Sequence, residues 1–93
     1  MPKRYTQDPA DVLDYANDWS EWLDAGETIA SSTWSVSPSG LATSLQSIVN
    51  NDTTSVVWLS GGTVDRSYTV TNRITTTDSR TVERSITVVI RDL

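Results

Sequence analysis

The strongest constraint in this sequence is a period of two. Between residues 53 and 92, Tyr68, Val70 and Ile74 fall between Ser67, Thr69, Thr71 and Arg73, and Ile86, Val88 and Ile90 fall between Ser85, Thr87, Val89 and Arg91. Successive side chains of an extended chain point to opposite faces, so this spacing predicts strands with one face buried and the other wet. The cluster Thr77-Asp78-Ser79-Arg80 separates the two runs and predicts a long antiparallel hairpin of residues 67–76 and 81–91. Upstream, Thr54 to Ser60 is rich in β-branched and aromatic residues and stops at Gly61-Gly62. Two glycines take positive φ without Cβ strain, which suits a tight reversal into the strand that begins near Arg66. The expectation is three consecutive antiparallel strands.

The middle of the chain continues the pattern. Thr28 to Val36 carries Ile29, Trp34 and Val36 among hydroxyls and ends at Pro38-Ser39-Gly40; Leu41 to Val49 ends at Asn50-Asn51-Asp52. Short segments at roughly ten-residue intervals with turn signals between them argue a β-sandwich of about six to seven short strands. This architecture also accounts for the 13 Ser and 14 Thr among 93 residues, because β-branched hydroxyls pack on a pleated surface while staying hydrated. Residues 8–25 allow two readings. Asp8-Pro9 resembles a helix N-cap with Pro at the first helical position, and Val12, Ala16, Trp19 and Leu23 recur at helical spacing before Gly26. Equally, Leu13, Tyr15 and Trp19 share one face of a strand, followed by a single turn through Glu21-Trp22-Leu23-Asp24 capped by Ser20.

Composition removes most chemistry. There is no Cys and no His, and Lys3 is the single lysine. Serine and threonine nucleophiles therefore lack a base, and neither a sulfur nor an imidazole metal site is available. The net charge of −5 is concentrated: Asp8, Asp11, Asp14, Asp18, Glu21, Asp24 and Glu27 form an all-acidic stretch, whereas acids and arginines balance from Thr28 onward. Such a chain lacks the basic face needed to displace phosphate counterions, so no nucleic-acid partner is expected. Its longest apolar run, Ile86 to Ile90, is far short of a membrane span of about 20 residues, and the opening Met1-Pro2-Lys3-Arg4-Tyr5 lacks the apolar core of a secretion signal. Neither a membrane partner nor a leader is expected. Asp11, Asp14 and Asp18 do not follow the patterned spacing of a calcium loop, and no carboxylate pair marks a sugar-sized cleft. A solvated or partner-facing acidic edge is the better reading, with no catalytic residue, metal, cofactor or small-molecule ligand. Four tryptophans and no phenylalanine place much of the core volume on indoles. Trp19 and Trp22 are three apart and cannot share one face of a strand, so Trp22 is expected to lie half exposed or to reach a neighbouring subunit.

Several segments carry a resemblance. Lys3-Arg4-Tyr5-Thr6-Gln7-Asp8-Pro9 comes first, followed by Leu13-Asp14-Tyr15 and Asp18-Trp19-Ser20-Glu21-Trp22-Leu23 with Gly26-Glu27-Thr28-Ile29. Val57-Trp58-Leu59-Ser60-Gly61-Gly62 and Tyr68-Thr69-Val70-Thr71 with Arg73-Ile74-Thr75-Thr76 come next, and Arg80-Thr81-Val82-Glu83-Arg84-Ser85-Ile86 closes the series. Together they resemble the short Ig-like structural proteins of tailed-phage virions of the fiber-tail adaptor type, with residues 37–52 the least similar. The resemblance implies an Ig-like all-β sandwich in which residues 13–19 form the first strand, with 1–12 as an N-terminal extension and 13–93 as the domain. It implies a non-enzymatic virion part, made in the bacterial cytoplasm and present in several copies. Its partners would be copies of itself and other virion structural proteins of the neck, tail or head. The acidic stretch, facing an arginine-bearing hairpin, would give neighbouring subunits complementary charge, and Asp14, Asp18, Trp22 and Asp24 are the expected interface residues. The alternative is an Ig-like surface module that binds carbohydrate or protein through Trp22 or Trp58.

Overall fold

The computed structural model describes residues 3–93, whose strands are β1 (Lys3–Gln7), β2 (Val12–Asp18), β3 (Ile29–Ser37), β4 (Leu41–Val49), β5 (Thr54–Gly61), β6 (Ser67–Thr76) and β7 (Thr81–Ile90). One sheet has the order β1-β7-β6-β3 and the other β2-β5-β4. Neighbours are antiparallel except β1, which runs parallel to β7 with Lys3 opposite Ile86 and Gln7 opposite Ile90. With β2, β4 and β5 in one layer and β3, β6 and β7 in the other, this is the connectivity of a seven-stranded Ig-like sandwich whose first strand has joined the second layer.

The alternation along β6 and β7 holds except at Val89, which is buried on the face expected to be wet. Tyr68, Val70 and Ile74 of β6 and Ile86, Val88 and Ile90 of β7 are buried, and the hairpin pairs Thr75 with Thr81 as the turn cluster predicts. Two local signatures of Ig sandwiches recur. Trp34 is the buried tryptophan of β3, and the Tyr68 hydroxyl accepts a 3.0 Å hydrogen bond from the Thr63 N–H, which ties the start of β6 to the corner before it. Val70, two residues beyond that tyrosine, is fully buried where antibody domains place a disulfide cysteine. Apolar packing replaces the covalent link.

Residues 8–25 form no helix. Asp8-Pro9 opens a turn: the Asp11 N–H donates to the Asp8 carbonyl at 3.0 Å, and the Asp8 carboxylate accepts the Ala10 N–H at 2.8 Å. Aspartate followed by proline suits the first two positions of a β-turn as well as a helix start, which is why the signal is ambiguous. Val12–Asp18 then pairs with β5 along its whole length, and a lone helix would leave that edge uncovered. A single turn follows, in which the Trp22 and Leu23 N–H groups both donate to the Trp19 carbonyl.

Two expectations differ from the structure. Gly61-Gly62 does not fold β5 back onto β6; the chain crosses there to the opposite sheet, so β5, β6 and β7 are not one three-stranded unit. Gly62 sits at φ +91°, and a Cβ on it would lie 2.7 Å from the Ile90 side chain, so the glycine serves a close crossing over the core edge rather than a hairpin. The second difference concerns the start of the sandwich. The segment before residue 13 contributes β1, which pairs along β7 and ends at the buried Gln7, while Lys3 and Tyr5 stay exposed. The Gln7 amide, fully buried, donates 2.9 Å to the Leu59 carbonyl of the other sheet and accepts the Tyr15 hydroxyl at 2.7 Å.

The molecule is elongated, 43 × 22 × 19 Å, and its interior has two lobes. The larger holds Trp34, Leu41, Val57, Leu59, Tyr68, Val70, Ile86, Val88 and Ile90; the smaller holds Trp19, Ile29 and Ile74, bordered by Trp22, Leu23, Ile48 and Val82. A polar layer joins them. The Asn72 amide oxygen accepts from the Trp19 indole at 3.0 Å and from Asn17 at 3.2 Å, while its nitrogen donates to the Ser32 hydroxyl at 2.9 Å and the Thr33 carbonyl at 3.0 Å. Ser32 continues to the Ser55 hydroxyl, which accepts the Trp34 indole at 2.9 Å. All four hydrogen-bonding positions of Asn72 are filled, the condition under which a buried amide is tolerated.

Candidate interaction surface

The acidic stretch divides into carboxylates that build the fold and carboxylates that face outward. Asp8 accepts backbone N–H groups from Ala10 and Leu93, which hold it below the usual carboxylate range. Asp18, at the end of β2, accepts the Ser20 N–H at 2.9 Å, and this bond likewise depresses its pKa, aided by the Ser20 side chain and the nearby Arg84 charge. Glu27 is buried. Its carboxylate accepts the Arg80 guanidinium through two hydrogen bonds, the Thr76 hydroxyl at 2.6 Å and the Asp24 N–H at 2.9 Å. The Arg80 bonds hold Glu27 down to about 2 against the opposing effect of burial, and they raise the arginine in turn. Of the seven, Glu27 alone is buried; Asp8 and Asp18 are tied to the backbone at the surface, and Asp14, Glu21 and Asp24 are exposed.

The expected interface residues fall in two places. Trp22 and Asp24 meet at the end of the small lobe. Trp22 is half-buried, edge-on to Trp19 with centroids 5.7 Å apart at 73°, and the Arg80 guanidinium lies 4.1 Å from its ring centre. Asp24 is exposed, with its carboxylate 3.6 Å from Arg80. Arg80 therefore stacks on the indole while bonding Glu27 and approaching Asp24, so aromatic and acidic groups are fixed as one unit. Carboxylates of Asp24, Glu27 and Asp78 come within 4.8 Å of one another there; Arg80 supplies the positive charge that such a cluster requires. Asp18 lies beside this end, where the Arg84 guanidinium reaches its carbonyl at 3.4 Å and sits 4.1 Å over the Trp19 ring. Asp14 does not join them. It is exposed in the middle of β2 and stands opposite Trp58 of β5.

Sequence reasoning missed Arg80, Arg84 and the burial of Glu27. No local signal finds them, because Glu27 and Arg80 are brought together only by the closure of β3 on β6 and β7. The capping of Asp18 onto Ser20 did have a signal, an Asp-x-Ser at a strand end, where aspartate commonly bonds the backbone two residues on.

The two outward faces differ in chemistry. On the four-stranded sheet, hydroxyls align across strands: Ser31, Thr75 and Thr81; Ser35, Thr71 and Ser85; Ser37, Thr69 and Thr87. Thr71 and Ser85 are hydrogen-bonded at 2.9 Å. On the three-stranded sheet, Trp58 stands half-buried between Asp14 and Ser44, with the exposed Val12 opposite Ser60 two residues along. The buried indoles Trp19 and Trp34 both donate to protein acceptors; among the described residues Trp22 and Trp58 do not. These latter two have the apolar body and free N–H of interface tryptophans.

Comparison with known proteins adds one match. A family model described as podophage GP4 fiber-tail adaptor protein gp77 matches residues 7–89. No curated protein matches the chain.

Proposed function

The chain belongs to the podophage GP4 fiber-tail adaptor family, and from that premise we propose that it is a multicopy, non-enzymatic link between the tail and the fibres of a phage particle. The family makes it a structural component of a phage tail that meets other tail proteins. The finer reading concerns which surface makes the contact. The end of the small lobe carries it, because Trp22, Asp24 and Asp18 are held there by Arg80 and Arg84 in a fixed arrangement, with an indole N–H and exposed carboxylates at the surface. Asp14 extends that acidic edge along β2. Rigid aromatic anchors with a charged rim are how protein interfaces combine affinity with orientation. A small sandwich with modest surface burial also gains stability from neighbours, and a particle supplies them in repeated copies.

The observation that carries this reading is the family match over residues 7–89. The test is a triple variant, Asp14→Asn, Asp18→Asn and Trp22→Ala, introduced into the phage. The variant is expected to keep its β-sheet circular dichroism while particles lose the protein and with it their fibres. Particles that carry normal amounts of both would remove this surface from the account.

A further inference from the structure

The strand β1 covers only part of β7. Its described residues run from opposite Ile86 to opposite Ile90, so Thr81–Ser85 continues beyond Lys3 along the same edge. The bonding pattern shows which backbone groups face that edge. The Ile90 N–H donates to Arg66 on the β6 side, whereas the Arg91 N–H donates to Gln7 on the β1 side. Inward and outward bonds alternate along a strand, so odd-numbered residues of β7 turn their N–H and C=O toward β1. Thr81 and Glu83 therefore present backbone donors and acceptors with no strand partner there among the described residues.

Beside this edge the two sheets part. An open slot of about 580 Å³ lies between them, lined by Lys3 and Tyr5 of β1, Ala16, Asn17 and Asp18 of β2, and Arg84, Ser85 and Ile86 of β7. Its charge is not balanced. Neither Lys3 nor Arg84 forms a salt bridge among the described residues, and the one carboxylate, Asp18, is already held by the Ser20 N–H.

We propose that the edge of β7 at Thr81–Glu83, unpaired among the described residues, with the adjoining slot, is a strand-addition site for an extended, acid-bearing segment of a neighbouring tail or fibre protein. The segment continues the sheet in line with β1, exchanges main-chain hydrogen bonds with Thr81 and Glu83, and turns a carboxylate into the slot toward Lys3 and Arg84. Main-chain pairing supplies affinity, and the charged slot supplies selectivity. The chain's own acidic stretch, Asp8–Glu27, is committed to β2 and the turns around it. The inference rests on the adaptor reading, and its slot adjoins the Trp22 contact, sharing Asp18 and Arg84 with it.

Hydrogen exchange on purified phage tails, compared with the isolated chain, tests it. The amides of Thr81 and Glu83 are expected to exchange at least about tenfold more slowly in the tail. Exchange at the free-chain rate in tails that contain the protein overturns strand addition and leaves the adaptor reading standing; absence of the protein from fibre-bearing tails overturns both. Protection that arises in the isolated chain at high concentration assigns the edge to a second copy and also overturns the proposal. Two variants make the site falsifiable without hydrogen exchange. Glu83→Pro deletes an edge-facing N–H at a position where strands accept proline, and Lys3→Glu reverses a slot charge. Each is expected to retain the melting temperature of the parent and to lower binding to purified tails at least about tenfold. Unchanged binding in both overturns the proposal.

Discussion

The large and small lobes of the interior are closed in different ways. Around Trp34 and Tyr68 the seal is apolar and main-chain: Gly62 lies against Ile90, and the Tyr68 hydroxyl holds Thr63. Around Trp19 only Ile29 and Ile74 complete the buried set, and charged groups finish the enclosure, Glu27 with Arg80 on one side and Arg84 across the Trp19 ring on the other. A closure made of charges is sensitive to ionisation, and it leaves aromatic and acidic groups at the surface. The difference shows how a sandwich this small can devote one end to cohesion and the other to contact.

The most severe way to test that division is Trp34→Ala. Truncating the largest side chain of the large lobe is expected to cost about 3–5 kcal/mol, read as a drop in the denaturant midpoint. A loss under about 1 kcal/mol would show that cohesion does not reside there. Next comes Asn72→Leu, which cuts the layer between the lobes, leaves the Trp19 indole unpaired and takes a donor from the Thr33 carbonyl. Orphaned buried groups cost about 1–3 kcal/mol each, so a loss of about 2–3 kcal/mol and a shift in tryptophan emission are expected. A neutral result would make the lobes independent.

The smallest effect is confined to acid. The Glu27 carboxyl ordinarily titrates near 4.5 and in the fold is held down to about 2. Its folded form releases its proton more readily than the unfolded chain does, so its contribution is complete above about 4.5 and is lost as pH falls toward 2. Asp8 and Asp18 shift in the same direction. Melting temperatures followed from pH 7 to pH 2 are expected to fall for the wild type and to fall less steeply for Glu27→Gln. Parallel curves would mean that the small lobe is not held by that ion pair.

Much of this division was legible residue by residue. Tyr68, Val70, Ile74, Ile86, Val88 and Ile90 announce themselves as interior by spacing alone, and all are buried. Trp22 is half-buried where Trp19 is fully so, although the two meet edge-on across a turn and not on opposite faces of a strand. Asn72, Gln7 and Glu27 are equally interior, yet nothing local marks them. A polar side chain becomes a core residue only when its partners arrive, and those lie 39 to 55 residues away for Asn72, 52 for Gln7 in its bond to Leu59, and 53 for Glu27 in its bond to Arg80.

The sequence by itself determined the strands from β3 onward, the faces of β6 and most of β7, and the β6–β7 hairpin, because side-chain alternation and turn chemistry are properties of neighbouring residues. The tertiary structure decided which sheet each strand joins: that the chain crosses at Gly61-Gly62 instead of reversing, that β1 lies parallel to β7, and that the acidic stretch surrenders Glu27 to the interior. Those outcomes depend on burial and hydrogen bonds formed across the whole chain, and a period of two is the same in either sheet.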